Sequence, residues 1–346
     1  MATPEHTPSG RGYESWLGYF HHANDYYDET LSGGSTVVTD VCGRELGLNL
    51  VDLWSSGPAG SGPSRLNGTQ YEEYLFTDNS LKVIHEHDAS NTAAPLFLVH
   101  AFHTVHTPLQ IPEERTKHFA FLKDKDRRKY ASMVAYMDSA IGQFVSALEK
   151  KGMWENTLVV LSSDNGGPIY GTPGSPTDLK TATFGAANNL PLRGGKTSDW
   201  EGGIRVNAFV AGGAVPLGMR GTALDDYIHI ADWYATLCAI AGVDAFDERA
   251  AAKNLPAVDS INMWPLLSGK VAPGHGPRRE IHISRKTLIQ GNYKLLTGSD
   301  NAILKYVFRS LACLASLVGG RQARSFPLAT NHSRLDIDDA GFTTRT

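Results

Sequence analysis

Apolar residues recur along this chain in two distinct spacings. Tyr130, Met133, Val134, Met137, Ile141, Phe144, Val145 and Leu148 follow one another at three or four residues and line one face of a helix. Asp124-Lys-Asp126 ahead of them and Gly152 behind supply start and stop signals, so the spacing predicts an amphipathic helix of about seven turns. A shorter helix is expected within Thr69 to His87 from Tyr71, Tyr74, Leu75, Leu81 and Ile84, and another over Ile230 to Ala241, ending at Gly242. Three other runs, Leu96 to Phe102, Thr157 to Ser163 and Val206 to Ala211, are short and nearly continuous, the pattern of strands buried on both faces. The first two, with the long helix between them, predict a βαβ unit with parallel strands and a right-handed crossover, and hence an α/β sheet. Residues 1–95, rich in Gly, Ser, Asp and Tyr, predict long loops and short helices. Ala302 to Val318 is weakly helical, and no period follows it.

Composition narrows the function classes. The 346 residues carry 32 basic and 36 acidic side chains, a formal net charge of -4. That balance gives no electrostatic reason for nucleic acid or an anionic membrane as partner. Cys42, Cys238 and Cys313 are odd in number and widely spaced, which supports neither a disulfide framework nor a Cys-based zinc site. Met1 to His6 has no basic or apolar region of a signal peptide, and Ser310 to Val318 is too short to span a bilayer. Asn67 and Asn331 open Asn-x-Ser/Thr triplets, glycan acceptors if the protein is secreted.

Candidate chemistry gathers at strand ends. Thr157 to Ser163 ends by presenting Asp164-Asn165-Gly-Gly167, and ligands of an open α/β sheet collect at the carboxyl ends of its strands. A carboxylate and an amide carbonyl are hard oxygen donors suited to Ca²⁺ or Mg²⁺, although Asp-Asn-Gly is equally the composition of a plain turn. Pro191-Leu-Arg-Gly-Gly-Lys196 and Trp200-Glu-Gly-Gly-Ile-Arg205 set cations, an acid and a tryptophan in a glycine-rich frame where backbone can approach an anion. Lys196 could act there as a mobile point charge; the bland alternative is a solvated loop. His103 and His106 leave the end of the Leu96 to Phe102 run, which admits a general-acid role. On extended chain their rings would face opposite ways, so a shared zinc site is not expected and His106 is the candidate.

Taken in order, Asp164-Asn-Gly-Gly, Pro191-Leu-Arg-Gly-x-Lys196, Trp200-Glu-Gly-Gly-x-Arg205 and Val105-His-x-Pro-Leu-Gln110 resemble the type I sulfatases, especially their arylsulfatase B-like members. Gly10-Arg-Gly-Tyr-Glu-Ser-Trp-Leu-Gly-Tyr19 with Asp25-Tyr-Tyr27 adds to the match, which runs over about residues 3 to 298. The resemblance implies an α/β fold with an alkaline-phosphatase-like sheet sandwiched between helices, and hydrolysis of aryl or carbohydrate sulfate esters at a Ca²⁺ site, with Mg²⁺ the lesser candidate. It implies Asp164 and Asn165 as metal ligands, and His106 and Lys196 as catalytic and substrate-binding residues contacting the sulfate group and the leaving oxygen. Asn165 is sulfatase-like, where the related phosphatases usually carry His, and it disfavours a third reading, a phosphodiesterase of the same superfamily. The implied partners are a sulfated small molecule or glycan and a formylglycine-generating enzyme. The implied location is the secretory pathway, lysosome or extracellular space.

The chain also departs from that pattern. The family's Cys-x-Pro-x-Arg motif, source of the formylglycine nucleophile, its paired N-terminal aspartates and its Gly-Lys-x-His segment should precede Gly10, and none is there. The expectation is therefore an incomplete N-terminal part with Met1 internal to the family pattern, no nucleophile in this chain, and no sulfatase activity from it alone. A non-catalytic protein that binds a sulfated ligand is the alternative. Ser61-Gly-Pro-Ser-Arg65 fits the serine form of the motif but lies downstream of the block it should precede. Gly291-Asn-Tyr-Lys-Leu-Leu296 resembles the opening strand of the family's small C-terminal subdomain, and after Asp300 nothing of that subdomain is recognisable. A catalytic domain over 1–245, its end and the start of the subdomain over 246–298, and an unassigned tail over 299–346 follow, the tail reading as a shifted frame or mispredicted exon.

Overall fold

The computed structural model describes residues 3–20, 24–30, 51–169 and 186–297, with the backbone alone of 335–338 and 341–344. Two units are distinguished, residues 1–155 and 156–346.

In the first unit, β1 (Trp16–Tyr19), β2 (Leu53–Gly57) and β3 (Gly60–Pro63) form an antiparallel sheet with Trp16 opposite Ser56 and Trp54 opposite Pro63. Loops are the sequence-based expectation there. β3 is Gly-Ser-Gly-Pro and β2 ends Ser-Ser-Gly, and the apolar residues of β1 and β2 stand side by side rather than alternating, so the period that betrays a half-buried strand is absent from the sequence. Ser61 lies in β3, where its Oγ accepts a hydrogen bond from Trp54 Nε1 at 2.9 Å. The Ser61 to Arg65 motif thus begins in a hairpin and not ahead of a helix.

Helix α1 (Glu72–Glu86) and helix α3 (Lys125–Lys150) pack together, with the short α2 (Glu113–Thr116) between them in sequence. The 26-residue α3 starts where Asp124 accepts from Arg127 N at 2.7 Å, the N-cap that the sequence announces. Its buried positions Met133, Tyr136, Ala140 and Ala147 repeat at helical spacing. Ile84 of α1 with Ala147 and Leu148 of α3 centre a core that also takes in Leu96, Phe144 and Trp154.

The run Leu96 to Phe102 is not a strand here. Leu96 packs into that core, His100 Nδ1 meets Ser80 Oγ at 2.7 Å, and Phe102 lies against Phe144, while Phe97 and Val99 are 60% and 56% exposed. Leu96, His100 and Phe102 are thus partly covered by helix, while Phe97, Leu98 and Val99 are open. Periodicity reports which side chains are apolar, and a ladder also needs a neighbouring strand, which the described residues do not provide.

In the second unit, β4 (Val159–Ser162) pairs antiparallel with β5 (Ala208–Ala211), Val159 opposite Ala211, with the single turn α4 (Glu201–Ile204) between them in sequence. Both strands stand where the apolar runs place them. The expected parallel βαβ pairing is corrected, because the partner of β4 is the later run. Helix α5 (Asp232–Ala241) closes on Gly242, whose φ of 69° is the left-handed conformation of a glycine stop. Asp232 is fully buried and takes a two-pronged ion pair from Arg278, Nη2 to Oδ1 at 2.5 Å and Nε to Oδ2 at 2.6 Å. After α6 (Glu248–Ala251) and α7 (Trp264–Leu267), β6 (Glu280–Ser284), β7 (Thr287–Gln290) and β8 (Tyr293–Leu296) form an antiparallel meander. Met263, Leu266 and Leu267 centre this unit's core, with Trp233 and Val210 against them. Leu335–Asp338 and Gly341–Thr344 pair as a hairpin, and the weak helix expected over 302–318 lies outside the described residues.

Candidate active site

The carboxyl end of β4 runs into a lattice of glycines. Gly166 N donates to Gly203 O at 2.8 Å, and Gly202 N donates to Arg193 O at 2.7 Å. Asn189 donates from Nδ2 to Gly167 O at 2.8 Å and to Gly194 O at 3.1 Å. Lys196 N donates to Gly167 O at 3.2 Å, which brings the lysine's backbone beside the segment that presents Asp164 and Asn165. Side-chain-free positions are needed at these crossings. A Cβ on Gly166, Gly202 or Gly203 would meet a carbonyl oxygen at 1.7, 2.2 or 2.2 Å. The glycine-rich motifs thus serve backbone-to-backbone packing as well as any anion.

Asp164 is exposed and Asn165 half-buried. Asp164 Oδ1 accepts from Asn165 N at 2.7 Å, and Asn165 Nδ2 donates to Gly166 O at 3.0 Å, which orients the amide and leaves its Oδ1 as the acceptor end. Two hard oxygens on adjacent residues suit Ca²⁺ or Mg²⁺, which take six or more ligands. Among the described residues no group of three or more His, Cys, Asp or Glu side chains is placed to hold a metal. The pair supplies at most a third of such a shell.

A buried ion pair anchors this frame. Trp200 is buried, with the Arg193 guanidinium 3.6 Å from its ring centre. Glu201 is buried and its Oε1 meets Lys294 Nζ at 3.0 Å; Lys294, fully buried on β8, also donates to Asp199 O at 2.5 Å. Asp199 Oδ2 in turn accepts from Ser284 Oγ and Thr287 Oγ1 at 2.8 and 2.6 Å. The meander therefore grips the loop on both sides of Trp200.

His106 belongs to the first unit, on the loop that follows Phe102. Its Nδ1 lies 2.7 Å from Thr107 O. A carbonyl oxygen can only accept, so Nδ1 carries the proton and Nε2 is the nitrogen that exchanges one. His103 and His106 do not face opposite ways: His106 N donates to His103 O at 2.8 Å, so the chain turns between them and the rings lie 5.8 Å apart at 30°. His103 is stacked on Tyr26 at 4.0 Å and 1°, and its Nδ1 meets Glu72 Oε1 in a short hydrogen bond. Glu73 Oε1 accepts from Thr104 N at 2.6 Å, and Tyr26 donates from its hydroxyl to His106 O at 2.9 Å. The sequence does not mark Tyr26, Glu72 or Glu73 as a site residue, and it sets His103 aside in favour of His106. Paired acids opening a helix ordinarily sit in water beside its positive end, and only the structure shows that these two are buried.

That burial has a pH signature. Burial pushes Glu72 up to about 9 and Glu29 and Glu73 up to about 7, and it pushes His100 down to about 4. Between about pH 6.5 and about pH 8 the native chain holds the Glu72 proton and the unfolded chain does not, so stability falls as pH rises, by up to about 1.4 kcal/mol per pH unit for this group. Glu29 and Glu73 add to the slope near its lower end. Below about pH 6.5 His100 opposes it, because the unfolded chain protonates and the native chain does not. Urea midpoints should therefore rise as the pH is lowered from about 8 to about 6.5, and Glu72→Gln should flatten that rise; a flat or inverted wild-type profile contradicts this reading.

A family profile described as Sulfatase matches residues 2–243, well over half of the chain. The chain belongs to the sulfatase family. Arylsulfatase J of Mus musculus is 30% identical over 308 residues, 84% of this chain and 46% of that one. Steryl-sulfatase of Rattus norvegicus is 32% identical over 188 residues, 52% and 28% of the two chains. This sulfatase-family chain thus spans less than half the length of these curated relatives. Among solved structures, Ps i-CgsB in complex with k-i-k-neocarrahexaose superposes with a TM-score of 0.65 at 25% identity, covering 90% of this chain and 68% of that one. The PsFucS1 sulfatase from Pseudoalteromonas sp. gives a TM-score of 0.61 at 20% identity over 84% and 55%, a likeness of fold. The fold is the α/β, alkaline-phosphatase-like fold of sulfatases. No described helix is long and apolar enough to cross a membrane.

Proposed function

We propose that this chain is part of a sulfuric ester hydrolase of the arylsulfatase type, acting on aryl or carbohydrate sulfates in the secretory pathway, lysosome or extracellular space. The observation that carries the reading is the glycine lattice that ties Lys196 to the segment presenting Asp164 and Asn165. A sulfate ester spreads negative charge over its non-bridging oxygens, and a lysine on a rigid frame offers a preorganised cation to that charge as it develops. His106, carrying its Nδ1 proton on Thr107 O, gives an Nε2 proton to the departing oxygen when the ring is doubly protonated. Asp164 and Asn165 would contribute two oxygens to a Ca²⁺ ion, whose bound form lends fixed positive charge to the sulfate. Asn165 in place of a histidine favours sulfate over phosphodiesters as substrate.

None of Cys42, Cys238 or Cys313 is followed by x-Pro-x-Arg, so these 346 residues hold no cysteine source of formylglycine. A polypeptide of these residues alone is accordingly expected to turn over no aryl sulfate, since the remaining charges do not replace a covalent nucleophile. The same observation favours, for that polypeptide, the second reading of a non-catalytic protein that binds a sulfated ligand. The complete gene product, co-expressed with a formylglycine-generating enzyme, is expected to hydrolyse 4-methylumbelliferyl sulfate. Lys196→Ala should lower kcat/KM by on the order of 100-fold or more with little change in melting temperature. Preference for a phosphate ester over the sulfate, or indifference to Lys196→Ala, would overturn the proposal.

A further inference from the structure

His106 is held by a set of buried groups that the chemistry proposed above leaves unused. The loop that carries it is gripped at several points by the first turn of α1 and by the segment from Asp25 to Glu29. Tyr26 donates to His106 O, Thr104 N donates to Glu73, and Tyr71 donates from its hydroxyl to Gln110 O at 3.0 Å. Gln110 accepts from Tyr26 N at 2.9 Å and donates to Asp25 Oδ2 at 2.6 Å. Those contacts fix the backbone. The ring of His106 has a different neighbour, the imidazole of His103, stacked face to face on Tyr26, met edge-on by Tyr19 at 5.8 Å and bonded through Nδ1 to Glu72. Glu72 is fully buried and His103 is 8% exposed, so neither has an evident solvent-facing task. A hydrogen bond between a buried carboxyl and an imidazole fixes the imidazole plane, the relation that orients working histidines in many proton-transfer sites.

We propose that Glu72 and His103 are positioning residues for His106: the buried carboxyl–imidazole pair forms a fixed wall that holds the His106 ring with Nδ1 on Thr107 O, and so sets Nε2 as the nitrogen that exchanges protons. The inference rests on the reading of His106 as proton donor only for its consequence in catalysis; the wall and the tautomer stand apart from it. In the proton transfer itself, the Nε2–H bond of the doubly protonated ring breaks and the proton goes to the departing oxygen. The ring is left neutral with its Nδ1–H still on Thr107 O. Without the wall the ring can turn about its side-chain bonds, lose Thr107 O and populate the Nε2–H form, which has no proton acceptor at Nε2.

The test is ¹⁵N NMR of the histidine side chains in the 346-residue chain near neutral pH, with His106 assigned by its loss in His106→Gln. In the unsubstituted chain the His106 nitrogens should read as the Nδ1–H form. In Glu72→Gln and His103→Ala they should move toward a mixture of both forms, with circular dichroism unchanged. His103→Phe keeps the stack on Tyr26 and removes the bond to Glu72, so it covers the case in which His103→Ala fails to fold. It should lie between the other two states. In the complete gene product Glu72→Gln should lower kcat roughly tenfold at unchanged KM. An Nδ1–H signal that persists in Glu72→Gln and in whichever His103 variant folds would overturn the proposal. A tautomer shift without sulfate-ester turnover by the complete, unsubstituted gene product supports the positioning role and refutes the catalytic reading instead.

Discussion

Gly166→Ala should cost the protein at least about 4 kcal/mol and deprive the second unit of the frame that carries Asp164, Asn165 and Lys196. The added Cβ would stand 1.7 Å from Gly202 O and 2.9 Å from Gly203 Cα, and both obstacles are backbone. Relief requires moving chain that is itself held by the Gly166 N to Gly203 O and Gly202 N to Arg193 O bonds. Gly142 is the control. It lies exposed in the interior of α3, where an added Cβ would have nothing within 4 Å, so Gly142→Ala should stabilise by about 1 kcal/mol through helix propensity. Urea denaturation of both variants reads the contrast directly, and a Gly166→Ala loss below about 1 kcal/mol would contradict the packing described.

Lys294→Met has the second largest expected effect, a loss of about 3–5 kcal/mol. The pair it breaks is buried at both ends, with side chains 0% and 2% exposed. A carboxylate there without Lys294 loses its cation while remaining out of water, and the Asp199 carbonyl loses a donor as well. Adding Glu201→Met to Lys294→Met should recover most of the loss, because the charge that needed neutralising is gone. Equal stability of the single variant and the wild type, or no recovery in the double variant, would show that the pair does not fasten the Trp200 loop.

Local signals in the sequence are faithful where one stretch of chain settles the outcome. Helix α3 follows from a face of apolar residues and an Asp124 cap, and β4 and β5 from their apolar runs. Asp164, Asn165 and Lys196 stand out because glycines flank them, but those glycines read as room for an anion, and the backbone-to-backbone lattice they form is visible only in the structure. Pairings between distant stretches are not legible. Leu96 to Phe102 is as apolar as β4, yet a ladder depends on a second strand that the run itself does not specify. Lys294 reads as an exposed strand residue until Glu201, 93 residues away, is brought to it. Glu72 and Glu73 look like solvated helix-opening acids until Tyr26, His103 and Thr104 close over them.

The dependence of kcat/KM on the basicity of the leaving group, compared between the complete gene product and its His106→Ala variant, bears most directly on the proposed chemistry. A 4-nitrophenolate departs with little help from a proton, whereas a sugar alkoxide needs one. The expected result is a loss of no more than about tenfold on 4-nitrophenyl sulfate and on the order of 100-fold or more on a carbohydrate sulfate. An equal loss on both esters, or no hydrolysis of any sulfate ester by the complete gene product, would contradict the assignment of His106 and the function built on it.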